Sequence, residues 1–295
     1  MFRLMHHYLP KCYGILRQMV FVSITLVVSV RVIITDGADS DGTTLHTVFA
    51  QRTKVTFADH SVVELNAGTL VLFKEGARRQ IFLQEGEIRL SIQHGVSKPA
   101  DVHVGNILLQ DLGTQFDVSV HERSVNAVVT DGQVRVQESR PDGSLVDPID
   151  VTGTSHQRHR MVLKKGDMIR LDERDGAVFA YVSRNDSTEA EMRSSWLNGE
   201  LATTGERLDE VILQFNRYNR IPIVINDPSV AQMKVGGHYF LTDSNDFLSD
   251  LRQALGVEVV PVLDGARNVV QMNLLRAPVN GITCVRQQPP ALKRH

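Results

Sequence analysis

Glu85 and Glu87 stand two residues apart around Gly86. In an extended chain both carboxylates point to one face, an arrangement that could suggest a glycosidase-like acid/base pair. Solubility at a turn or strand edge explains the pair without chemistry, and that reading is adopted. His156 and His159 lie three apart, but the segment His156-Gln-Arg-His-Arg160 interleaves arginines and offers no adjacent Cys or carboxylate. A solvated loop fits it better than a metal site. Asp111, Asp117 and Asp131 fall in or beside alternating runs, where turn and solvent-face duty is the default. Gly236-Gly237 has no helix starting beside it, so it marks a bulge or close backbone approach and not a phosphate cradle. G-x-S-x-G, H-E-x-x-H, Walker and dinucleotide-binding motifs do not occur. The expectation is a protein that is not an enzyme, with no cofactor and no metal.

The elements that position these residues are mostly strands. Phe116, Val118 and Val120 alternate with Asp117 and Ser119, and Val134 and Val136 follow an Asp131-Gly132 turn. Such period-two runs mark strands with one buried face. Gly113, within Leu112-Gly-Thr114, permits a bulge or positive-φ corner. The stretch from Val104 to Val136 is therefore expected to be two hairpins in series, with Asp117 on a solvent face. Further pairs are expected about Asp59-His60-Ser61, Glu85-Gly86 and Lys165-Gly166. Ser139 to Arg160 is expected to be a long surface loop.

Hydrophobic content of 42%, charged content of 22% and a formal net charge of -2 describe an ordinary globular chain with no electrostatic case for nucleic acid. Cys12 and Cys284 sit near opposite ends and form no disulfide framework. Residues 1–14 read as a short cytoplasmic segment. Residues 15–34 read as a single transmembrane helix, roughly the 20 residues a bilayer needs, with Arg31 near its outer end. Lys and Arg precede the span and Asp36, Asp39 and Asp41 follow it, which places the bulk outside the cytoplasm. A cleaved signal peptide is the rival, disfavoured because no small-x-small cleavage site follows. Residues 35–47 read as a linker, 48–183 as a twisted antiparallel β-stack, 196–274 as a small α+β unit and 275–295 as a disordered tail.

In the last unit, Leu208, Val211, Ile212, Phe215 and Tyr218 recur at helical spacing behind a possible Thr203-x-x-Glu206 capping box. Pro222–Ile225 and Lys234–Phe240 read as strands. Asp243 or Ser244 caps a second helix whose inward residues are Phe247, Leu248, Leu251 and Leu255. A hairpin over Asp264-Gly265 closes the chain. The order α-β-β-α-β-β predicts one small sheet with two helices on one face. Trp196, the only tryptophan, reads as a packing anchor between the domains.

Several of these stretches together resemble the FecR family of periplasmic signal-transducing proteins. They are Leu112-Gly-Thr-x-Phe-Asp-Val-x-Val120 with Val129-x-x-Gly-x-Val-x-Val136, Asp59-His-Ser-x-Val-x-Leu-Asn66, Gly86-Glu87, Trp196-x-x-Gly199-x-Leu201 and Leu208-x-x-Val211 leading to Asn216-Arg-Tyr218. His60 stands where the family has a turn glycine. The C-terminal unit is similar to the signalling domain of secretins and of TonB-dependent receptors. The resemblance implies an inner-membrane regulator with its bulk in the periplasm. It would sense an outer-membrane TonB-dependent receptor's signalling domain and control an extracytoplasmic-function sigma factor, in iron or siderophore uptake. Family members carry a cytoplasmic sigma-binding helical domain before the span, where this chain has fewer than about 20 residues, too few for a core. A membrane-tethered periplasmic scaffold without sigma control is therefore the alternative. An open sheet edge can bind a partner by strand addition, and the candidate partner-binding residues are Ile223, Val235, His238 and Tyr239.

Overall fold

The structure is a computed structural model and describes residues 42–92, 98–121, 124–152, 156–184 and 186–277. The expected membrane helix and the tail beyond residue 277 lie outside the described residues, among which no helix is long and apolar enough to cross a membrane. Among the described residues, sixteen strands precede the first helix: β1 Thr43–His46, β2 Thr53–Thr56, β3 Val62–Leu65, β4 Leu70–Lys74, β5 Arg79–Ser91, β6 Ala100–Val104, β7 Ile107–Asp111 and β8 Gln115–His121. Then come β9 Ser124–Asp131, β10 Gln133–Ser139, β11 Leu145–Val146, β12 Ile149–Asp150, β13 Gln157–Arg158, β14 Met161–Lys164, β15 Met168–Arg174 and β16 Ala177–Ser183.

These strands form two facing layers that share β5. One runs β1-β4-β5-β6-β7-β10, with β11 and β14 both beyond β10. The other runs β2-β3-β5-β8-β9-β15-β16-β12-β13. Pairing is antiparallel except for β5 with β6 and β12 with β16. The alternating apolar residues of both layers meet in one core, including Leu83, Leu109, Val136 and Leu163 from the first and Leu90, Phe116, Val118 and Leu171 from the second.

The glycines anticipated as hairpin turns do a different job. Glu85-Gly86 is no turn: β5 runs straight through it, pairing with β4 and β6 before Gly86 and with β3 and β8 after it. The chain likewise changes layers at Gly113, Gly132 and Gly166, each at positive φ. The two expected serial hairpins are thus corrected to β6–β7 and β8–β9, joined by a corner at Gly113. Corners interrupt the ladder, so side chains take over its hydrogen bonds. Asp111 Oδ1 accepts from the Gly113 amide at 2.8 Å and from the Thr114 hydroxyl. Thr69 Oγ1 accepts from the Glu87 amide at 3.0 Å. The Asp59-His60-Ser61 turn is as expected, with His60 at φ 64°. The stretch from Ser139 to Arg160 holds three two-residue strands, and His159 Nε2 lies 3.3 Å from Asp150 Oδ2, a carboxylate partner that the sequence reading missed.

Helix α1 (Ser187–Arg193) and a 3₁₀ turn (Ser195–Asn198) lead into the second unit. It contains β17 Glu200–Arg207, α2 Leu208–Asn216, β18 Ile223–Ile225, α3 Pro228–Ala231, β19 Lys234–Phe240, α4 Ser244–Leu255, β20 Val257–Leu263 and β21 Val269–Arg276. The expected single sheet is two: β17 pairs with β19, and β18-β21-β20 form the other. Strand β17 replaces the capping box. Glu206 Oε2 accepts from the Thr204 and Gly205 amides at 2.6 and 3.0 Å, closing a bulge in the strand, and the helix starts only after Arg207. Asp243 caps α4 as expected, accepting from the Asn245 amide at 3.0 Å. The apolar faces of α2 and α4 pack with Ile223, Val235, Val257 and Leu274 into a second core.

Candidate partner-binding site

The four candidate residues separate by burial. Val235 and Ile223 are core residues, 4% and 2% exposed, so a partner could reach them only through backbone. Ile223 lies in the other sheet, on the three-residue edge strand β18. Tyr239 packs its ring against Phe215 and Phe247. That ring fills the space a side chain at Gly237 would need: a Cβ there would lie 2.6 Å from the Tyr239 hydroxyl oxygen. The nearest neighbour at Gly237 is thus this ring, and at Gly236 the nearest atom to a Cβ would be the Thr203 carbonyl oxygen at 3.7 Å, so the expected close backbone approach is corrected. His238 is exposed, its Nε2 3.2 Å from Glu200 Oε2.

Along β19 the odd-numbered residues face inward and the even-numbered ones outward. The outward row is Lys234, Gly236, His238 and Phe240, and Phe240 is 63% exposed. The alternation that buried Val235 could have exposed Lys234 and Phe240, which the sequence reading omitted.

The backbone edges differ as well. Ser195 Oγ accepts from the Ala202 amide at 3.0 Å and donates to the Glu200 carbonyl at 3.1 Å, and Glu206 takes the Thr204 amide, so the outer edge of β17 is occupied. Edge strand β20 contains Pro261, which lacks a donor and blocks a continuous added ladder. Strand β19 has seven residues, no proline and no described strand beyond its free side. It is the edge best suited to an added strand.

Behind β17 lies the seam between the two units. Arg217 Nη1 meets Glu87 Oε2 at 3.3 Å, and Asn66 Nδ2 donates to the same oxygen at 2.7 Å. The Tyr218 hydroxyl donates to Asn66 Oδ1, and the Ala50 amide to the Arg217 carbonyl at 2.9 Å. Arg52 Nη1 donates to the Trp196 and Leu197 carbonyls at 2.6 and 2.5 Å. Trp196 packs with Ala67, Tyr218 and Leu241, an anchor between the units as expected. The Ser194 hydroxyl donates to Asp117 Oδ2 at 2.6 Å, and Arg89 Nη1 lies 3.6 Å from the same oxygen.

Two sequence expectations fail at the seam. Asp117 is 3% exposed and Glu87 8%, so neither serves a solvent face or an edge. The second layer's outer face is covered at this point, its carboxylates by the seam and its Val128 and Met168 by Ala190 of α1. Burial pushes the Asp117 carboxyl up to about 7, against the pull of Arg89 and Ser194. Burial also raises Glu87, against Arg217 and Asn66. A cavity of about 160 Å³ opens alongside, between Ser119 and Asn126 of the sheet and Val211 and Gln214 of α2. Among the described residues, no three His, Cys, Asp or Glu side chains gather as a metal site would require.

Residues 43–135 match the family described as FecR protein. This stretch is similar to a FecR domain. The match ends within β10, while the β-layers that contain it continue to Ser183. No curated protein matches the chain significantly. Two crystal structures of a "putative anti-sigma factor" from Parabacteroides distasonis ATCC 8503 share the fold. The 2.50 Å structure gives a TM-score of 0.61 at 20% identity, covering 80% of this chain and 100% of that one. The 1.65 Å structure gives 0.62 at 19% identity, covering 80% and 99%. The polar residues of the FecR-like motifs, scattered from Asn66 to Tyr218, converge on the seam: Asn66, Glu87 and Asp117 from the first unit, Arg217 and Tyr218 from the second.

Proposed function

We propose that this protein regulates a sigma factor of the extracytoplasmic-function type and takes its signal at the β19 edge. The sender is the N-terminal signalling domain of an outer-membrane TonB-dependent receptor, in the uptake of iron or a siderophore. The match to the FecR family over residues 43–135 is the observation that carries the regulatory reading. The fold shared with structures described as anti-sigma factors agrees with it. The free side of β19 supports the receptor half, since unpaired amides and carbonyls template an added strand while Lys234, His238 and Phe240 supply side-chain selectivity. In this reading residues 15–34 hold the chain in the inner membrane with its bulk in the periplasm, and the work is binding, with no catalytic step.

The test is transcription. In the source organism, deleting the chain should change expression from the promoters of one extracytoplasmic-function sigma factor, and restoring it should reverse the change. Unchanged expression from the promoters of every such sigma factor would contradict the regulatory reading.

A further inference from the structure

The seam holds two carboxylates that the proposed function leaves unused, both belonging to the FecR-like domain and both covered by the C-terminal unit. Asp117 lies beneath Ser194 and Trp196, and Glu87 beneath Arg217. Asp117 Oδ1 and Trp196 Nε1 are both buried, and the indole N–H faces the Asp117 carboxyl, too far for a full hydrogen bond yet near enough to favour its charged form. A carboxylate with one oxygen short of a full hydrogen bond, buried under a covering layer, is costly in its charged form and cheap in its neutral one.

We propose that the seam is a protonation-controlled latch. Asp117 takes a proton from solvent when the C-terminal unit docks on the FecR-like domain and returns it when the unit lifts away.

The surroundings fix the direction. Asp117 faces Arg89 and Glu87 from β5, Val128 across the ladder from β9, and Ser194 and Trp196 from the segment that leads from α1 into the covering unit. Glu87 faces Asn66, Arg217 and Arg193, with the Tyr218 phenol nearby. Burial pushes that phenol up to about 12, so it stays neutral throughout. His121, Arg170, Glu206 and Glu210 line the adjoining cleft. Arg89 stays with Asp117 when the unit lifts, because both belong to the FecR-like domain. What lifting changes is the covering layer. Docking therefore raises the Asp117 carboxyl from the ordinary carboxylate range to about 7. A group raised in the docked state favours docking at low pH, and the advantage is lost as pH rises through the docked value. The latch holds in mild acid and loosens above neutrality. Below about pH 7, lifting the unit releases a proton from Asp117.

Trp196, the only tryptophan in the sequence, sits in the seam at 3% exposure and reports its opening. The measurement is quenching of its fluorescence by acrylamide, a neutral quencher whose access does not depend on local charge. It uses the full chain in detergent, from about pH 5 to about pH 9. Quenching should be low in acid and rise severalfold with a midpoint near 7. Asp117→Asn should keep it low throughout, and circular dichroism should show both proteins equally folded. Ser194→Ala removes a hydrogen bond to the charged form, so it should move the midpoint upward. It decides the matter alone if the Asn variant does not fold. Flat quenching in the wild type, the same rise in folded Asp117→Asn, or an unmoved midpoint in Ser194→Ala would overturn the latch. None of these outcomes depends on a sigma factor or a receptor.

Discussion

Gly132 shows how one residue type sets the architecture. At φ 79° its backbone lies in the left-handed region, and a Cβ there would run into the Gly113 carbonyl and come within 2.8 Å of Thr114 Cγ2. Two corners stack against each other, leaving room for no side chain. Gly132→Ala should cost about 1–3 kcal/mol, from conformational strain plus displaced backbone. Gly143→Ala is the control, because φ is 81° but nothing lies within 4 Å. It should cost about 1 kcal/mol. Equal melting temperatures for the two variants would contradict the stacked corners. Arg79 is the second decisive residue. Its guanidinium lies 3.7 Å over the Phe57 ring, is 3.1 Å from Asp59 and 3.0 Å from Glu75, and is almost wholly buried. Arg79→Leu should destabilise by about 2–4 kcal/mol, since the buried guanidinium's stacking on Phe57 and its bonds to Asp59, Glu75 and Ser61 are all lost. Burial alone would raise the Asp59 carboxyl, but hydrogen bonds from Ser61 and the Lys98 amide, with Arg79 beside it, hold it at about 2. A depressed carboxyl adds stability above its unfolded value of 3.8, lost as pH falls toward 2. Wild-type melting temperature should therefore fall more steeply between these limits than that of Arg79→Leu. Parallel acid limbs would show that Arg79 does not hold Asp59.

At the scale of elements, the strands were legible and their connections were not. Period-two alternation located β8, β9 and β10 because one face of each is apolar whatever it pairs with. A hairpin turn and a layer-changing corner both place a positive-φ glycine between two such runs, so the pattern could not tell them apart. Asp117 was misplaced for a related reason: alternation says which side of a strand faces the core, never what packs on the other side. Strand β17 was missed because Glu200-Leu-Ala-Thr-Thr-Gly-Glu-Arg207 has little apolar alternation. Its place is set by pairing with β19. The candidate edge was half legible. Strand β19 was bounded correctly at Lys234–Phe240, but its inward residues Val235 and Tyr239 were taken as contacts. Phe240→Asp should therefore leave the melting temperature within about 2 °C of wild type, since the side chain projects into solvent. Val235→Asp should lower it sharply by placing a charge in the core. Similar shifts for the two would contradict the assigned faces.

Among the described residues, two large cores meet across a seam that combines polar contacts with the Trp196 cluster. Position 196 packs the units together, and Arg217 and Tyr218, at the end of α2, reach into the FecR-like domain's first corner. Strand β17 touches both the receiving edge and the seam, pairing with β19 on one side and bonded through Ser195 on the other. A strand added at β19 therefore lies one strand away from the latch. The proposed topology is open to test: a reporter active only in the periplasm, fused after His295, should be active, and the fusion should stay with the membranes. Release of a shorter soluble form would show that residues 15–34 are a cleaved signal.

The central claim is that the C-terminal unit receives a receptor's signalling domain at β19, and calorimetry tests it most directly. The N-terminal signalling domain of each TonB-dependent receptor in the source organism is titrated into the wild-type protein and into Phe240→Asp. One domain should bind the wild type, and the substitution should weaken that binding about tenfold or more, roughly 1.4 kcal/mol, without loss of fold. Folded wild-type protein that binds none of these domains, or one bound equally by Phe240→Asp, would contradict reception at this edge.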